Sequence, residues 1–157
     1  YKRYPDQFKK FTPTCDTNAI QNCSHDALVN SYDNTIAYTD HILANVIGQL
    51  KQQTGYQTAM WYLSDHGEST GEHGLYLHGA PYMMAPSQQT HIPMILWFSP
   101  QWQQQVPQLV PCLNKQLTLP RGQDNLFHSL LPILGIHSKV INPELDMQTL
   151  CSPQGSI

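Results

Sequence analysis

An α/β fold, with a mostly parallel sheet between helices, is what this sequence predicts. Three observations carry the expectation. Apolar residues recur at helical spacing between positions 28 and 50. Two short runs, 58–63 and 92–98, are rich in aromatic and aliphatic side chains and read as buried strands. A second helical period occupies 124–135, and helix, strand, loop, strand, helix is the order of a layered α/β chain. With 157 residues there is enough chain for one domain with a sizeable core.

Residues 1–23 are polar and irregular, with Pro5 and Pro13. Ser24 can cap the helix that follows, and Asp26 sits in its first turn, where a negative charge suits the dipole. Leu28, Tyr32, Ile36, Leu43, Val46, Ile47 and Leu50 form one apolar face, and Gly55 is placed to end it. Thr58 to Leu63 is the first strand. Residues 64–91 show no period; a loop of that length in a compact domain is functional or disordered, and its Gly, His and aromatic content argues for function. Ile92 to Phe98 is the second strand, with Pro93 at its start, where a missing N–H is tolerable. Ser99 to Pro111 reads as a Gln- and Pro-rich surface stretch. Asp124 can cap the last helix, with Leu126, Phe127, Leu130, Leu131 and Leu134 toward the core, Pro132 as a kink and Gly135 as the stop. From Lys139 onward the chain reads as irregular. There is no internal repeat.

Composition excludes several functions. The chain is 40% hydrophobic and 12% charged, as in globular domains. A net charge of −3 leaves no basic footprint for nucleic acid and no polybasic run for an anionic membrane. No apolar run approaches the roughly 20 residues that span a bilayer. The chain opens on Tyr1-Lys2-Arg3-Tyr4-Pro5, without Met or a leader, and so is expected to be a piece of a longer protein. Of the four cysteines, Cys15 and Cys23 bracket a short polar loop that a disulfide can staple, leaving Cys112 and Cys151 to join distant regions. Four reduced cysteines in a cytosolic protein is the competing reading; even number and spacing favour the disulfides.

The chemistry concentrates after the first strand. Ligands of open α/β sheets sit at the carboxyl ends of strands, where Ser64-Asp65-His66 lies. Asp65 and His66 would point to opposite faces of an extended strand, but a bend at Gly67 lets them converge. A carboxylate and an imidazole make a partial zinc shell, Glu68 is a third ligand or an outer partner, and His78 can swing back from the loop, held by Gly79-Ala80-Pro81. A strand end that merely turns at Asp-His-Gly is the alternative. His73 and His91 have no partner by spacing, and His25, His41, His128 and His137 read as surface or capping residues. There is no Gly-x-Ser-x-Gly elbow and no phosphate-binding glycine loop.

Taken together, Ser64-Asp65-His66-Gly67-Glu68-Ser69, Gly71-Glu72, Gly74-Leu75-Tyr76-Leu77-His78-Gly79-Ala80-Pro81-Tyr82, Ala85-Pro86 and Pro93-Met94 resemble the phosphoethanolamine transferases. These include the polymyxin-resistance enzymes and the lipid A transferases. Tyr4-Pro5, the Cys15-Asp16-Thr17-Asn18 loop and Tyr32-Asp33-Asn34-Thr35 match as well, so the resemblance spans nearly the whole chain. It implies part of an alkaline-phosphatase and sulfatase-like sandwich, on the periplasmic face of the bacterial inner membrane. It implies zinc-dependent transfer of phosphoethanolamine from phosphatidylethanolamine to lipid A through a zinc-bound threonine. Asp65 and His66 would ligate the catalytic zinc; His78 would bind a second zinc or the phosphoryl group, with Glu68 beside it at the substrate. The periplasm is oxidising, which suits Cys15, Cys23, Cys112 and Cys151 as disulfides. The family's nucleophilic threonine, a glutamate ligand and a Ser-His-Gly-Pro motif lie further toward the amino terminus. Residues 1–157 are therefore expected to be the carboxy-terminal portion of the catalytic domain, without the transmembrane domain or the nucleophile, and inactive alone. A sulfatase or phosphodiesterase of the same superfamily, or a non-catalytic truncated product, are the alternatives.

Overall fold

The helical period beginning at Leu28 forms α1 (His25–Lys51). Its start is the one the sequence predicts: the Ser24 hydroxyl accepts the Ala27 amide at 3.2 Å, and Asp26 occupies the first turn. The structure, a computed structural model, describes residues 2–151. It divides into two compact units, 1–98 and 99–157.

In the first unit, α1 ends before the expected stop at Gly55. The Leu50 carbonyl accepts the Gln52 and Gln53 amides and, at 3.2 Å, the Thr58 hydroxyl, so the last turn closes without a glycine cap. The most buried residue of α1 is polar. Asn34, 0% exposed, accepts the Lys10 and Phe11 amides at 2.8 and 2.9 Å and donates to the Phe11 carbonyl at 2.9 Å. Its buried oxygen and nitrogen are thereby both answered. The amino-terminal segment runs back along the helix from there. Phe8 packs on Tyr38 and His41, with ring centroids 4.8 and 4.9 Å apart. Asn30 donates to the Pro13 carbonyl, and Ser31 accepts the Cys15 amide. A Cys15–Cys23 disulfide, with Cα atoms 5.6 Å apart, closes the loop.

The two expected strands form β1 (Ala59–Leu63) and β4 (Met94–Phe98), and they pair with each other, antiparallel, from Ala59↔Phe98 to Leu63↔Met94. The expectation of a mostly parallel sheet is not met by this pair. Consecutive parallel strands need a crossover, usually a helix. Here the connection instead folds into a hairpin, β2 (Ser69–Thr70) against β3 (Tyr76–Leu77), and one helical turn, α2 (Ser87–Thr90), before returning to the same strand end. The apolar runs suggested full burial; β1 is half-buried throughout.

In the second unit, the segment expected as a surface stretch is helical. The Ser99 hydroxyl accepts the Trp102 amide at the head of α3 (Pro100–Gln105), and Pro100 takes the first position, where its missing N–H costs nothing. Next come α4 (Leu109–Asn114) and α5 (Asp124–Ile133). Asp124 lies in the first turn of α5 but does not cap it. Gly135, at φ 71°, ends the helix as expected: its amide bonds to Pro132 and that of Ile136 to Leu131, the Schellman pattern. The expected core face is different. Phe127, Leu130 and Leu134 are exposed, and the buried residues of α5 are Asn125 and Ser129. Asn125 donates to the Leu145 carbonyl at 2.8 Å, and Ser129 accepts the Met147 amide at 2.9 Å, so α5 holds the tail by its backbone. A Cys112–Cys151 disulfide fastens the tail's end. Among the described residues, no helix is long and apolar enough to cross a membrane.

The two disulfides close loops of sequence separation 39 and 8. Loop-closure entropy predicts that Cys112→Ser costs about 2–4 kcal/mol, and about 1 kcal/mol more than Cys23→Ser. Urea unfolding of both variants under non-reducing conditions measures the difference.

Candidate functional site

The site begins where β1 ends. The Ser64 amide bonds to the Pro93 carbonyl at 3.3 Å, extending the ladder by one residue, and the Ser64 hydroxyl donates to the His66 carbonyl at 2.8 Å. The chain then turns against α2. The Gly67 amide donates to the Gln89 carbonyl at 2.9 Å, and a Cβ on Gly67 would overlap the Gln88 carbonyl oxygen. Glycine is required here by close approach of two backbones, not by an unusual φ.

This turn gathers three sequence-predicted residues. Ligating atoms of His66, Glu68 and His78 all lie within 4.8 Å of one another. The His66 and His78 rings overlap with centroids 3.8 Å apart, and His78 Nδ1 is 2.9 Å from Glu68 Oε1. His66 Nδ1 lies 2.9 Å from the Gly67 carbonyl, which can only accept. Nδ1 is therefore the donor, and in the neutral imidazole Nε2 is the nitrogen left to ligate, the arrangement typical of a ligating imidazole. By the same logic an ionised Glu68 takes the Nδ1 proton of His78 and leaves its Nε2 as acceptor. Glu68 Oε2 is buried and has no hydrogen-bond partner. A buried carboxylate oxygen left so is costly unless a cation answers it.

Asp65 stands at the edge. Its side chain is 88% exposed, Oδ1 accepts the His66 amide at 3.0 Å, and Oδ2 lies 3.7 Å from His66 Nε2. The structure thus places Asp65 next to the free nitrogen of His66 but outside the three-residue cluster. His73 lies exposed in the turn 72–74 at φ 54°, and His91 follows α2, also exposed. His41 bonds to Asn45, and His128 accepts the Asn142 amide, both structural uses.

Two supporting residues carry no signal in the spacing. Tyr32 of α1 is pushed above the ordinary phenol value by burial first, then by the Glu68 carboxylate, with Tyr62 and Asp33 adding. Its position on an apolar helical face gives no sign of that charged neighbour. Gln89, 7% exposed, donates from Nε2 to the Ser69 hydroxyl at 2.8 Å and accepts the Ala80 amide at 3.3 Å. A polar residue inside a loop shows nothing of such contacts in sequence.

Glu72 braces the hairpin. Its carboxylate accepts the Thr70 amide at 2.7 Å and the Thr70 hydroxyl at 3.0 Å. Burial pushes its pKa up, but hydrogen bonds from the Glu72, Thr70 and Gly71 amides and the Thr70 hydroxyl outweigh this and hold it below the usual value. A depressed carboxylate stabilises above its unfolded pKa, and that contribution is lost as pH falls through the folded value. Wild type should therefore exceed Glu72→Gln in melting temperature at pH 7, and the gap should close below about pH 4. Gly67→Ala, which must displace the Gln88 carbonyl, should cost about 1–3 kcal/mol in urea unfolding.

Comparisons with known proteins agree with this architecture. The Sulfatase family matches residues 1–136. Phosphoethanolamine transferase EptA of Salmonella typhimurium is 50% identical over 153 residues, 96% of this chain and 28% of that protein. Kdo(2)-lipid A phosphoethanolamine 7''-transferase of the same organism is 33% identical over 141 residues, 87% of this chain and 24% of that protein. The crystal structure of the C-terminal periplasmic domain of phosphoethanolamine transferase EptC from Campylobacter jejuni superposes with a TM-score of 0.86 at 49% identity, covering 98% of this chain and 47% of that one. The chain spans about 28% of the length of the first of these relatives. Helices, strands and family match together make this an α/β chain of sulfatase and alkaline-phosphatase type. The chain belongs to the sulfatase family and, within it, is similar over nearly all its length to the phosphoethanolamine transferases.

Proposed function

We propose that this chain supplies the metal- and phosphoryl-binding part of a phosphoethanolamine transferase that moves the group from phosphatidylethanolamine to lipid A at the periplasmic face of the inner membrane. The observation that carries the reading is the His66–Glu68–His78 cluster with its unpartnered Glu68 oxygen, in a chain 50% identical to a phosphoethanolamine transferase. Two imidazoles and a carboxylate are the donor set that zinc prefers, and Asp65 Oδ2 adds a fourth donor near His66 Nε2. His66, Glu68 and His78, with Asp65 at the rim, would hold it. When bound, zinc activates a nucleophile and offsets phosphoryl charge.

The chain's own residues divide the remaining work. The Gly67 carbonyl keeps the proton of His66 on Nδ1 and so aims Nε2 outward. Glu68 orients His78 through Nδ1, leaving Nε2 to meet a ligand or a phosphoryl oxygen. The threonine nearest to them in sequence, Thr70, is not free to act as the nucleophile: its hydroxyl donates to Glu72. The nucleophile is accordingly assigned to another part of the transferase, and polymyxin resistance is the expected consequence of neutralising lipid A phosphates.

Two measurements test this. Calorimetric titration should show zinc binding that His78→Ala weakens at least about tenfold and Asp65→Ala weakens less; equal affinity in wild type and His78→Ala sinks the cluster. With fluorescent phosphatidylethanolamine and lipid A, the 157-residue chain should give no product. The transferase that contains it should give product that chelators abolish. Zinc-dependent turnover by the chain alone would overturn the assignment of the nucleophile.

A further inference from the structure

We propose that Gln89 is the positioning residue of the site, setting the His66–Glu68–His78 geometry from outside it. The proposal rests on the metal-binding reading of that cluster. Gln89 hydrogen-bonds to none of the three, yet it holds the chain within two residues of each. Its carbonyl accepts the Gly67 amide, one residue after His66. Its side-chain nitrogen donates to the Ser69 hydroxyl, one residue after Glu68. Its side-chain oxygen accepts the Ala80 amide, two residues after His78.

The chemistry explains why a glutamine serves. One planar amide carries a donor and an acceptor on the same carbon at fixed separation, so it can serve a hydroxyl on one strand and an amide on the next segment at once. Gln89 and Ser69 are 7% and 3% exposed, so water does not compete for these bonds, and losing them leaves buried polar groups unanswered. The bond to Ala80 matters most. His78 follows Leu77, a non-glycine residue at φ 62°, a backbone state that costs free energy and persists only where surroundings enforce it. The Ala80–Gln89 bond is the tether on the far side of His78 that keeps this segment turned toward Glu68.

The inference separates two kinds of contact in one residue. The backbone carbonyl survives any substitution, so the Gly67 anchor and His66 should stay. The side-chain bonds do not, so His78 should be released. Gln89→Met keeps length and volume and removes both bonds. Gln89→Asn, shorter by one methylene, cannot reach both partners and carries the test if the methionine variant does not fold. Two readouts are taken on the full chain. Without metal, the nuclear Overhauser contact between the His66 and His78 rings, 3.8 Å apart between centroids, should be present in wild type and lost in the variant. With cobalt(II) as a spectroscopic substitute for zinc, affinity followed by visible absorbance should fall about ten- to a hundredfold, the range for residues that orient ligands. A folded variant that keeps both the ring contact and wild-type cobalt affinity overturns the proposal. Wild type that fails to bind cobalt defeats the metal reading instead, and the metal-free ring contact then decides the positioning role by itself.

Discussion

The close approach of two backbones at Gly67 is the constraint on which the site depends. The turn after β1 has to run so near α2 that no side chain fits between Gly67 and the Gln88 carbonyl. That approach sets the direction in which the chain leaves the strand. It therefore decides where His66 and Glu68 point and fixes the proton of His66 through the Gly67 carbonyl. His78 reaches the same place only because a hairpin with residues at positive φ folds residues 76–80 back over the turn. A rigid strand end, a glycine contact and a braced hairpin together make a cluster whose members are separated in sequence but adjacent in space.

Elsewhere the chain is organised by the same device, polar side chains that bind backbone. Asn34 is fully buried and satisfied by the segment at Lys10 and Phe11, and Ser129 is fully buried and holds the tail at Met147. Neither lies among the apolar residues that periodicity singles out. A satisfied buried amide or hydroxyl fixes one register of an irregular segment, because any slip leaves its groups unpaired in a dry environment. Irregular segments at both ends of the described chain are ordered in this way, with a disulfide added to each.

Much of the fold was legible. Ser24 and Asp26 announced the start of α1, Gly135 the end of α5, and the runs after residues 58 and 92 both strands, because caps, stops and apolar runs act locally. What failed was non-local. Two apolar runs say that strands exist but not which way they pair, and antiparallel pairing followed from the path of residues 64–93. The leucines of α5 suggested a core face, yet Phe127 and Leu134 are exposed while Asn125 and Ser129 are buried; hydropathy takes no account of carbonyls and amides on another segment. The Gln-rich stretch after Ser99 lacked an apolar period but had a serine cap and a proline at the first helical position, which suffice for a short helix.

For the site, sequence alone determined the chemistry available. Asp65, His66, Glu68 and His78 carry oxygen and nitrogen atoms of the kinds that can ligate a metal ion, and their motifs already resembled one family, to which the comparisons lead as well. Tertiary structure alone decided how they are grouped. It set His78 on Glu68 and against His66, left Asp65 at the rim, and enlisted Gln89, which no motif marks as chemical. The reason is physical: residue type fixes which atoms can donate, accept or ligate, but distance and desolvation decide which of them meet, and those are properties of the folded chain.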